Sequence, residues 1–150
     1  MAEDQNDADR HASTVSIKVP SWAGRFIGIP YQDDGYDFDG CNCFGIVHLV
    51  LKHQARIEID PQADVSADDV ARATERALSV AGNAPWQAVN GEPRLFDVAL
   101  LRGNPLHTGI VIAPRILLHV WRSPMSVAMS FDNPRLRTRF IAFYRHAALA

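Results

Sequence analysis

From residue 43 to 51 the chain reads Cys-Phe-Gly-Ile-Val-His-Leu-Val-Leu, an almost unbroken apolar run. Phe44, Val47 and Leu51 stand at i, i+3 and i+7, and Ile46, Leu49 and Val50 fill the other sides. The run therefore predicts a helix buried nearly all round, with Asn42 just ahead of it as N-cap. A second helix is predicted over 67–81. Ser66 would cap it, Asp68 and Asp69 suit the positive end of its dipole, and Gly82-Asn83 would stop it. Val70, Ala73, Ala77 and Leu78 form its expected inner face. Residues 22–29 suggest a short helix or turn, 30–42 a loop rich in Asp, Gly and Asn, and 85–93 a connector. From 95 onward the period changes. The segments 95–101, 108–112, 116–121, 126–130 and 139–144 are short, rich in Val, Ile, Leu and Phe, and separated by Gly, Pro and Asn, which is the signature of strands. Helices first and strands later predict an α+β fold, a helix packed on an antiparallel sheet of about five strands.

Composition narrows the function classes. The 150 residues suffice for one domain with its own core. Residues 1–14 are acidic and polar, without the apolar stretch of a secretory signal, and read as a disordered tail before a single domain over 15–150. A net charge of -2 offers no basic field for nucleic acid. No apolar run approaches the length of a membrane span. Cys41 and Cys43 are too close in sequence for an ordinary structural disulfide.

The chemistry converges on three residues. Cys43 opens the buried helix, where unpaired backbone N–H groups and the dipole favour a thiolate; a buried structural cysteine is the alternative for that residue alone. His107 and His119 flank two strand-like runs. A hairpin centred on Ala113 would set them directly opposite each other, with Cβ atoms about 4.5–5.5 Å apart, as a base and its orienter. A one-residue slip would turn one ring to the wrong face. Cys41, Cys43, His48, His53, His107, His119 and His146 also offer metal donors, but their spacing matches no usual zinc pattern. No metal and no cofactor are expected. His48 and His53 read as helix-face residues without chemistry.

These residues resemble a known family. Tyr31 followed by Gly40-Cys41-Asn42-Cys43-Phe44-Gly45-Ile46-Val47 is similar to the tyrosine and the Asp-Cys-x-Gly-Leu-Val motif of NlpC-type cell-wall peptidases. His107-Thr108-Gly109-Ile110 resembles the family's His-x-Gly-Ile, and His119 falls where the family has its third polar residue. Phe96-Asp97-Val98-Ala99-Leu100 is similar to the Gly-Asp-hydrophobic strand before the histidine. Asn42 stands in place of the usual Asp, and Phe96 in place of the usual Gly.

The resemblance implies a papain-like fold and a cysteine peptidase that hydrolyses peptide bonds in peptidoglycan stem peptides. Cys43 would be nucleophile, His107 base, His119 orienter and Tyr31 a substrate-binding residue beside the thiol. The segment 56–94, long for a linker between these motifs, is expected to be an insertion that docks other proteins or covers the cleft. Short members of the family suggest an enzyme made in the cytoplasm and carried in a phage or phage-like tail, with tail proteins as partners. The rival readings are a thiol amidase or acyltransferase acting on a small amide, and a non-enzymatic structural tail component.

Overall fold

The computed structural model describes residues 17–62, 69–81, 83–121 and 125–149. The expected tail over 1–14, Ser66, Asp68 and Gly82 lie outside them. A 3-10 helix, Ser21–Phe26, comes first and buries Ala23 and Phe26. Two short strands, β1 (Tyr36–Asp37) and β2 (Gly40–Cys41), pair antiparallel and lead into helix α1, Cys43–Val50. A π turn, Leu51–Ala55, continues α1 and ends at Arg56, whose φ is 57°. Helix α2, Val70–Ala81, follows. The remaining strands are β3 (Trp86–Ala88), β4 (Val98–Leu101), β5 (His107–Ala113), β6 (Ile116–Val120), β7 (Ser126–Ser130) and β8 (Phe140–His146).

Strands β3 to β8 form one antiparallel sheet in the order β3-β8-β4-β5-β6-β7. Helix α1 packs on β5 and β6, so the protein is α+β, a helix against an antiparallel sheet. The sheet has six strands rather than about five. The added one, β3, lies within the expected connector, where Trp86 is buried at the sheet edge against His146. Strand β4 begins at Val98, three residues later than expected.

Two apolar clusters lie on the two sides of the sheet. Ile46, Val47 and Val50 of α1 meet Ile110, Ile112, Leu118 and Val120 on one side. Ala99, Leu101, Val111 and Leu117 meet Phe131 and Leu136 on the other. Burying each of the large α1 side chains contributes about 1.5–3 kcal/mol, which anchors the start of the helix against β5. Gly45 allows the helix to pass this close to the preceding loop. A Cβ there would fall 2.2 Å from the Gly35 carbonyl oxygen.

Helix α2 differs from its expected packing. None of its residues is buried, and Leu78, assigned to the inner face, is 55% exposed. The half-buried stripe runs through Ala73, Ala77, Val80 and Ala81 and lines a cleft, with Val80 also packed against the core. Asp69 caps the first turn, its backbone oxygen accepting from Ala73 N–H and its side chain from Arg72 N–H. Among the described residues, no helix is long and apolar enough to cross a membrane.

Candidate active site

Cys43 is the first residue of α1. Asn42 fixes that position: its Oδ1 accepts the Gly45 N–H at 2.7 Å and its Nδ2 donates to the Asp33 carbonyl at 2.8 Å. The usual Asp could not make the second bond, so Asn at this place ties the helix start to the loop as well as capping it. From the sheet, Thr108 Oγ1 donates to the Cys43 carbonyl at 3.0 Å. Helix start and strand start are thereby locked together.

His107 and His119 come together, but not by the expected register. The turn is Pro114-Arg115, with Ala113 opposite Ile116. A bulge at Ile112 then sets Val111 against Leu117 and Ile110 against Leu118. The two histidines are therefore offset diagonally by two residues instead of lying directly opposite. A two-residue offset keeps the face, so the rings still meet. His107 Nε2 lies 3.1 Å from His119 Nδ1. Alternation along β5 puts Thr108 on the side covered by α1 and His107 on the other, at the strand end where the cleft opens.

Both rings are buried, at 7% and 1% exposure. Burial pushes His107 down to about 3, helped by the nearby His119 and by the positive charge of Arg139. Burial and Arg135 push His119 down to about 4. Both are neutral imidazoles near pH 7. The shared hydrogen bond then admits two tautomers. If His107 Nε2–H donates to His119 Nδ1, the Nδ1 of His107 is left as the basic nitrogen. His119 then carries its proton on Nε2, a buried atom with no hydrogen-bond partner among the described residues. The reverse arrangement puts a proton on His107 Nδ1, where it can only donate.

Cys43, His107, Thr108 and Tyr31 line one cleft of about 210 Å³. The Cys43 thiol is partly exposed and is not hydrogen-bonded to His107 in this arrangement. The Tyr31 hydroxyl donates to Asp33 Oδ1 at 3.2 Å. His119 stands behind His107, out of the cleft lining. Cys41 is fully buried, and burial first, then Cys43 and Asp37, pushes its thiol up to about 12. A thiol so protected is inert near neutral pH. Of the remaining histidines, His48 is buried with Nδ1 3.1 Å from the Ile59 carbonyl oxygen, and His53 lies against Phe38. Among the described residues, no three of His, Cys, Asp and Glu are grouped to hold a metal.

Three cleft residues had no place in the sequence argument. Trp121 stacks on His107 at 4.6 Å and 22°, and meets His119 edge to face at 5.3 Å. Arg139 lies 4.8 Å from the centre of the Trp121 ring. Thr108 makes the lock described above. Trp121 follows His119 by two residues and so shares its face, a signal the strand period carries. Arg139 comes from the turn just before β8 and has no local signal.

Asp97, in the segment that resembles Gly-Asp, is a structural residue. It is fully buried, accepts the Arg94 N–H at 2.8 Å, and takes both Nε and Nη2 of Arg145 at 2.7 Å. Phe96 before it has φ 72°, the left-handed region where the resembled motif has Gly. Compared with known proteins, the chain matches no model of a protein family and no curated sequence.

Proposed function

We propose that the protein is a cysteine peptidase of papain-like fold, cleaving amide bonds in peptidoglycan stem peptides through a covalent acyl-enzyme. The observation that carries this reading is that one cleft is lined both by a cysteine on a capped helix start and by His107, which is hydrogen-bonded to the buried His119 behind it. The stem-peptide substrate is drawn from the resemblance of the cysteine and histidine segments.

In this reading the Cys43 sulfur attacks the carbonyl carbon of the scissile amide while the thiol proton passes to His107 Nδ1. The oxyanion forms beside the first turn of α1, where the Cys43 N–H is a donor available to it. Protonated His107 keeps its Nε2–H on His119 Nδ1, which the low proton affinity of His119 preserves as an acceptor. The C–N bond then breaks and the proton goes to the leaving amine, giving a thioester on Cys43. A water molecule, deprotonated by His107, attacks the thioester and restores the thiol. Closing the Cys43–His107 gap on substrate binding fits the general behaviour of such pairs, whose hydrogen bonds tighten in the complex.

The test is digestion of purified peptidoglycan, with the soluble products identified by mass spectrometry. New amino termini within the stem peptides are expected from wild type and not from Cys43→Ala or His107→Ala. Glycan cleavage alone, or equal activity of Cys43→Ala, would refute the reading.

A further inference from the structure

The wall of the cleft has an unusual charge pattern. Among the described residues that line it there is no Asp or Glu, and there are two arginines, Arg76 and Arg139. Arg76 sits on α2, where its Nη1 donates to Gln62 Oε1 at 2.6 Å. Arg139 differs in its setting. Its backbone is pinned on both sides, its N–H bonding to the Leu136 carbonyl and its own carbonyl accepting the Arg102 N–H, both at 2.8 Å. Its guanidinium rests against Trp121, the ring that stacks on His107. A guanidinium held over an aromatic face keeps its planar fork of N–H donors along its edge, a geometry suited to a carboxylate.

We propose that Arg139 is a specificity-determining residue that binds a carboxylate on the substrate beside the scissile amide, with Trp121 as its platform. This rests on the reading of Cys43 and His107 as the reacting pair and adds the substrate's charge. Another stretch of the wall complements it. Ala73, Ala77 and Val80 of α2 present a small, apolar surface to the cleft, which accommodates the uncharged body of the same substrate. The segment 56–94 thus contributes a cleft wall.

The placement also bears on the base. The positive charge of Arg139 is one reason that His107 resists protonation. A carboxylate bound to Arg139 offsets that charge, so the correct substrate makes His107 a better proton acceptor as it binds. A neutral analogue leaves the positive charge uncompensated.

The test compares alkylation of Cys43 by iodoacetate and by iodoacetamide, two reagents of similar size that differ in a carboxylate. Rates are read by intact mass with peptide mapping to Cys43. The ratio of the iodoacetate to the iodoacetamide rate constant is expected to fall about tenfold in Arg139→Gln, the scale of one nearby charge at a partly exposed site. In Arg139→Lys, which retains the charge, most of the ratio should remain. Circular dichroism melts establish that each variant is folded. A ratio unchanged in Arg139→Gln overturns the assignment of Arg139 and leaves the nucleophile standing. Failure of Cys43 to react with either reagent overturns both.

Discussion

The buried histidine pair makes stability depend on pH in a calculable way. In the unfolded chain each imidazole titrates near 6.5; in the fold, His107 and His119 are pushed down to about 3 and about 4. The unfolded state therefore binds more protons than the folded state as pH falls below 6.5, and acid favours unfolding. The contribution of neutral burial is fully present above 6.5 and is lost progressively toward 3–4. At pH 5 the loss is about 2 kcal/mol for each histidine, or roughly 4 kcal/mol for the pair, since both remain neutral in the fold. That is a large share of the 5–15 kcal/mol typical of a domain. Urea unfolding at pH 8 and pH 5 measures it directly. Wild type should lose about 4 kcal/mol more than the His107→Gln, His119→Gln double variant, and each single variant about half of that difference. If wild type and the double variant lost stability equally, the two rings would not be buried as neutral groups and the argument would fail.

Other consequences follow from individual contacts. Iodoacetamide should label Cys43 in the folded protein and spare Cys41, which is fully buried with its thiol pushed up to about 12; peptide mapping decides this, and preferential labelling of Cys41 would contradict the site. Gly45→Ala should destabilise by more than about 2 kcal/mol in denaturant melts, because its Cβ meets fixed backbone at 2.2 Å. Arg145→Ala should cost about 3 kcal/mol, since it strips the partner from the fully buried Asp97 carboxylate; an Asp97→Asn, Arg145→Ala double variant should recover part of the loss.

Much of the arrangement is legible in the chain because burial writes a strong period. Helix α1 follows from its apolar run and Asn42, and β5 to β7 from short segments rich in Val, Ile and Leu between Gly, Pro and Asn. The hairpin register was not legible. Centring the turn on Ala113 overlooked both Pro114-Arg115, where Arg115 takes φ 57°, and the bulge at Ile112. An even offset spared the conclusion that the histidines share a face; an odd one would have reversed it. Strand β3 escaped notice because three residues after Pro85 carry too little pattern. Leu78 lies off the half-buried stripe of Ala73, Ala77, Val80 and Ala81, and periodicity alone does not fix how wide the covered face of α2 is. Trp121 was within reach of the strand period, whereas Arg139 is joined to the site only by the crossing of β8 beside β4.

The central claim is that Cys43 forms a thioester with the acyl part of an amide substrate, driven by His107. The most direct measurement is intact-mass analysis of acid-quenched mixtures of the protein with purified stem peptides, followed by mapping of the adduct. A transient, hydroxylamine-sensitive adduct is expected on Cys43 in wild type; its formation slows by about 10² or more in His107→Ala and it is absent in Cys43→Ala. Peptide hydrolysis without any adduct on Cys43, or an adduct carried by another residue, would contradict the claim.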